Sequence, residues 1–104
     1  MANEYLYSQE FINDIHTGRE MFVKLALDQK GAIFKVNGII SAVNHKIVSK
    51  SIIDKIRDLK NDNTIISGFY VSDFAAAALD ALGMEKYKGN SERIKELIIS
   101  KLEI

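Results

Sequence analysis

Residues 32–43 read Ala-Ile-Phe-Lys-Val-Asn-Gly-Ile-Ile-Ser-Ala-Val, and the conformation of this stretch decides the architecture of the chain. Asn37-Gly38 stands between two runs rich in Ile, Val and Phe. Asn-Gly suits the centre of a type I′ turn, where both residues need positive φ, and the flanking residues favour a pleated sheet. The stretch therefore predicts a β-hairpin turning at Asn37-Gly38. Asn44-His45 predicts a second turn, with Lys46-Ile47-Val48 as a short third strand.

Upstream, residues 4–28 predict a helix. Tyr7, Phe11, Ile15, Gly18, Phe22 and Leu25 recur every three or four positions and make one apolar stripe. Gly18 lies on that stripe, where it either admits a neighbouring backbone or divides the segment into two helices. Gly31 is expected to close the segment as a C-terminal glycine.

Downstream, Ser49 and Ser51 are candidate N-caps, and Ser51 with Asp54 resembles a capping box. Ile52, Ile53, Ile56 and Leu59 lie on one helical face. The apolar residues of 39–47 would fall on the opposite side of the same helix, which predicts a strand-to-helix change near Val48. Residues 64–71 predict one strand, with Ile65, Phe69 and Val71 on one face and Ile66 and Tyr70 on the other. Ser72 is the next N-cap, with Asp73 in the first turn. An Ala-rich helix follows from Phe74 to Leu82 and stops at Gly83. After a loop at 84–89, Asn90 or Ser91 caps a last helix with Ile94, Leu97, Ile98 and Leu102 as its stripe, and Lys101 near its end.

The expected fold is α+β, in the order α-β-β-(β)-α-β-α-α. It has a small, mainly antiparallel sheet (a β-hairpin plus a later strand) packed by about four helices in a single domain over residues 1–104. With 104 residues, 47% hydrophobic and 27% charged, the composition is that of a globular protein. The absence of Cys excludes a disulfide framework and thiolate metal sites. Lys plus Arg is 14 and Asp plus Glu is 14, so no charge excess repels a second copy. The opening residues show no signal-peptide pattern and no apolar run is long enough to span a bilayer, so the expected location is cytoplasmic.

Chemistry-bearing patterns are sparse. His16 and Glu20 at i, i+4 could share a metal from one helix face, but neither a third ligand nor a nucleophile–base pair accompanies them. No catalytic residue, metal site or cofactor is assigned. The isolated glycines form neither a dinucleotide fingerprint nor a P-loop. Lys46, Lys50, Lys55, Lys86, Lys88 and Arg93 are candidate phosphate contacts, interleaved with acidic residues. The helix, Gly83-Met84, loop and last helix are similar in outline to a helix-turn-helix.

The aliphatic excess is more informative. Ile-Ile pairs occur at 39–40, 52–53, 65–66 and 98–99, and Phe69-Tyr70 repeats the pattern. Each places one residue toward a core and one away from it, which predicts a second apolar surface. The expected function is a non-enzymatic protein–protein interaction module (adaptor, inhibitor or small regulator) acting as a homodimer through Ile66, Phe69, Tyr70, Ala77 and Ala81. A nucleic-acid-binding transcriptional regulator with a helix-turn-helix-like C-terminal half is the alternative.

Overall fold

The computed structural model describes residues 5–6, 8–89 and 92–99; the expected positions of Tyr7, Asn90, Ser91, Lys101 and Leu102 lie outside these. Among the described residues, six α-helices and one two-stranded antiparallel sheet make a helix-dominated α+β fold. The helices are α1 (Gln9–Ile15), α2 (Glu20–Leu27), α3 (Ala32–Asn44), α4 (Lys50–Asp58), α5 (Val71–Ala81) and α6 (Glu92–Ile99). A 3₁₀ turn at Leu59–Asn61 leads from α4 to β1 (Ile65–Ile66) and β2 (Phe69–Tyr70).

The stretch at 32–43 is helical, not a hairpin, and Gly31 starts α3 as its N-cap instead of closing the preceding segment. Most of the thirteen residues of α3 are buried, from Phe34 through Val43 with Lys35 half-buried. A helix enclosed on nearly every side needs no polar stripe, so its sequence loses the helical period and resembles a buried strand. Asn37-Gly38 serves this packing. A Cβ on Gly38 would lie 3.1 Å from the Ala26 Cβ and 3.2 Å from the Leu27 Cδ2, so the bare glycine lets α2 cross close to α3. Asn37 is fully buried; its amide nitrogen donates to the Ile33 carbonyl at 2.7 Å, and its Oδ1 accepts from His16 Nε2, also at 2.7 Å.

The segment 4–28 is divided at Gly18, whose φ is +83°. Here a Cβ would stand 2.5 Å from the His45 ring, so both the backbone angle and the approach require glycine. The break resets the helical phase. Phe11 and Ile15 keep their buried positions, whereas Leu25 is exposed and Val23, Ala26 and Leu27 take the inward face of α2. The end of α1 is then completed from α3. Ser41 Oγ donates to the Ile15 carbonyl at 2.6 Å and His45 Nε2 to the His16 carbonyl at 3.0 Å, which satisfies acceptors that a helix terminus leaves open.

Residues 46–48 form no strand; they are the connection between α3 and α4. The phase break near Val48 is therefore a break between two helices. Ser49 occupies the N-cap position of α4 and Ser51 lies inside the helix, so no capping box forms there. Ile52, Ile53, Ile56 and Leu59 are all buried, as their spacing predicts. Residues 64–71 divide in two, because Ser67 (φ 53°) and Gly68 (φ 83°) supply the paired positive φ of a type I′ turn. The hairpin thus exists, thirty residues downstream of its expected place. Its register pairs Ile65 with Tyr70 and Ile66 with Phe69, and α5 starts at Val71 with Tyr70, not Ser72, at the N-cap. Ile94 and Ile98 of α6 are buried against the main core, with Leu97 partly buried beside it. A smaller cluster, Phe11, Ile12, Ile15, Ala26 and Phe34, joins α1 to the rest, with Phe11 and Phe34 stacked at 5.5 Å.

Two glycines with positive φ provide a test of this account. Gly18 and Gly83 (φ 76°) share the left-handed conformation, but a Cβ at Gly83 meets nothing within 4 Å. Gly83→Ala is expected to cost about 1 kcal/mol from backbone strain alone, and Gly18→Ala about 3 kcal/mol through the added clash with His45. Urea unfolding of both variants checks this; equal costs would remove the close-approach explanation.

Candidate interaction surface

The hairpin has two apolar faces. Ile66 and Phe69 turn inward against the main core, where Phe69 meets Phe74 edge-on at 6.0 Å. Ile65 and Tyr70, side by side across the strands, turn outward with exposures of 65% and 46%. Alternation of successive side chains along a strand produces this division. Ile65 is the member of the outer pair that the single-strand reading missed. Its signal was present in the sequence as Ser67-Gly68, a two-residue turn between β-prone residues that sets 65 opposite 70.

Asp62 fixes the base of the hairpin. Its Oδ2 accepts from Lys35 Nζ of α3 at 2.7 Å, its Oδ1 from the Thr64 backbone at 2.9 Å, and its carbonyl from the Ser72 backbone at 2.8 Å. Burial pushes the Asp62 carboxyl up, but the hydrogen bonds from Lys35 and Thr64 outweigh it and hold its pKa down at about 2. Both side chains of the pair are largely covered, with 17% and 15% exposed.

At the far end of α5 lies a cleft of about 650 Å³, lined by Val43, Lys46, Val48, Ala81, Leu82 and Gly83 among others. Two helix C-termini converge on it, and both end in Schellman motifs. In α3, Lys46 N–H donates to the Val43 carbonyl and Ile47 N–H to that of Ala42; in α5, Gly83 N–H donates to Asp80 and Met84 N–H to Leu79. The left-handed position is held by Gly83 in α5 but by Lys46 (φ 51°) in α3. A lysine there carries backbone strain that glycine would avoid, and Lys46 is one of the residues that line the cleft.

The other expected interface positions separate. Ala77 is 2% exposed and belongs to the core, while Ala81 is exposed and lines the cleft. The basic residues separate too. Lys50 pairs with Asp54, Lys55 with Asp28 at 2.6 Å, and Arg93 with Glu96 at 3.8 Å. Lys86 and Lys88 share a second cleft of about 500 Å³ with Lys60 and Glu85. Glu85 accepts from Lys60 and from Arg57, and these two cations hold its carboxyl below the usual carboxylate range. The connection from α5 to α6 spans residues 82–91, longer than the turn of a helix-turn-helix.

His16 and Glu20 fall on either side of the Gly18 break, not on one helix. His16 bonds Asn37, and Glu20 accepts from Ser49 Oγ at 3.2 Å. Among the described residues no group of three or more His, Cys, Asp or Glu could hold a metal ion, and no helix is long and apolar enough to cross a membrane. No family model, curated protein or solved structure matches the chain.

Two substitutions test how this surface is held. Because the folded pKa of Asp62 is depressed, its contribution is complete above about pH 4 and is lost as pH falls through about 2. Asp62→Asn is expected to destabilise by about 1–2 kcal/mol at neutral pH, with the gap to wild type closing across that window in urea titrations. A gap independent of pH would mean that the charge is not what matters. Lys46→Gly is expected to stabilise by about 1 kcal/mol in the same assay, because glycine relieves the left-handed strain.

Proposed function

We propose that the protein is a small non-enzymatic interaction module that works in the cytoplasm, associates as a homodimer through this apolar surface and acts by binding another protein. The observation that carries this reading is the outward Ile65–Tyr70 pair. The inner face of the hairpin already anchors it to the core, so folding of the monomer does not require the outer pair to be apolar. The cross-strand Ile–Tyr pair steadies the hairpin, but much of its apolar surface stays in water until a partner covers it, and Tyr is enriched in protein interfaces. The balanced charge of the chain puts no electrostatic barrier between copies.

The nucleic-acid alternative draws on Lys60, Lys86 and Lys88 around one cleft. Glu85 in the same cleft offsets their charge, and ion pairs occupy Lys50, Lys55 and Arg93. It would appear as oligonucleotide affinity falling steeply with added salt.

Tyr70→Asp separates interface from core. Asp is among the preferred N-cap residues, so the substitution suits the start of α5 while it places a charge on the outer face of the hairpin. Native mass spectrometry of the wild type is expected to show a dimer, and Tyr70→Asp a monomer with unchanged circular dichroism. A wild type that stays monomeric at high micromolar concentration would refute self-association.

A further inference from the structure

The hairpin and the cleft lie at opposite ends of α5, which spans eleven residues, or about 16 Å. The hairpin end offers two apolar side chains, a phenolic hydroxyl on Tyr70, and the Asp73 carboxylate, which accepts from the Tyr70 backbone N–H at 3.4 Å. The cleft end offers apolar walls from Val43, Val48 and Leu82, and the Lys46 ammonium. Lys46 has no ion-pair partner among the described residues. Two Schellman endings also face the cleft; such endings consume the carbonyls two and three positions inside the helix and leave the last ones to solvent or to a partner's donor.

We propose that the cleft between the C-terminal ends of α3 and α5 receives the β-hairpin of a second copy of this chain, with Ile65 and Tyr70 entering it and Asp73 approaching Lys46. This rests on the self-association reading and adds its geometry. A hairpin seated in one cleft is small against the roughly 1,200 Å² or more that stable interfaces bury. Two such contacts related by a two-fold axis double the area and close the assembly as a dimer. In this pairing the Lys46 ammonium, which also suits the negative C-terminal end of α3, meets the Asp73 carboxylate. A cleft of about 650 Å³ lies within the roughly 300–1,000 Å³ range of binding pockets and has room for a bulky side chain.

Complementation between two variants tests the pairing. Tyr70→Asp disables the hairpin and leaves the cleft. Ala81→Arg blocks the cleft and leaves the hairpin, and an added cation suits the C-terminal turn of α5. Each variant alone is expected to be monomeric by native mass spectrometry, with the circular dichroism of the wild type. ¹⁵N-labelled Tyr70→Asp is then titrated with unlabelled Ala81→Arg and followed by amide chemical shifts, which also register the weaker single contact. Saturable shifts are expected at Lys46, Val48, Leu82 and Gly83, and none when the titrant is unlabelled Tyr70→Asp. Absence of shifts at the cleft, or an Ala81→Arg variant that dimerises like wild type, overturns the hairpin-in-cleft geometry while leaving self-association intact. A monomeric wild type removes both.

Discussion

The close crossing of α2 over α3 at Gly38 is the contact on which the rest of the fold depends. With no side chain at Gly38, Ala26 and Leu27 reach the backbone of α3. Next to Gly38 and one turn further on, the polar side chains of Asn37 and Ser41 are buried in the same region and must be satisfied there. Asn37 does so through His16 and the Ile33 carbonyl, and Ser41 through the Ile15 carbonyl. The break at Gly18 turns the end of α1 toward these groups. No buried side-chain nitrogen or oxygen among the described residues lacks a partner. Such a network specifies one arrangement of α1, α2 and α3, because displacement of any member strands a polar group in the core.

With α3 enclosed, the remaining elements take positions around it. The amphipathic α4 and the Ala-rich α5 pack their apolar faces into the main core, and α6 covers it with Ile94 and Ile98. The hairpin is too short to stand alone; two two-residue strands need a surface to pack on. Phe69 and Ile66 provide the anchor, and Asp62 ties the base to α3 and α5. The outer pair, Ile65 and Tyr70, is thereby held rigidly in solvent. The candidate surface is a by-product of core packing in its position, but not in its composition, since polar residues there would leave the anchor unchanged.

The local signals that survived folding were those in which one side of an element faces water. The face of α4 was legible because Lys50, Lys55 and Arg57 alternate with its isoleucines. The stop at Gly83 was legible because a left-handed cap favours glycine wherever the helix sits. Asn37-Gly38 misled because a turn signal and a close-packing signal use the same residues: both ask for a small residue, one for its φ and the other for its missing Cβ. Ser67-Gly68 gives a weak turn signal because 64–71 is apolar enough on both faces to read as one central strand. Of the five expected interface positions, Tyr70 and Ala81 are exposed, Ile66 and Phe69 face the core and Ala77 lies within it, while Ile65 required the register of the hairpin.

Sequence by itself determined the class, the amphipathic α4, the glycine-terminated α5 and the buried face of α6, since each depends on composition or on a period that solvent imposes. Only the tertiary structure decided that 32–43 is a helix, where the hairpin forms, and which face of it remains outside. Those outcomes turn on burial from all sides, where β-branched residues lose their local preference to packing and a missing methyl group at Gly38 weighs more than any propensity.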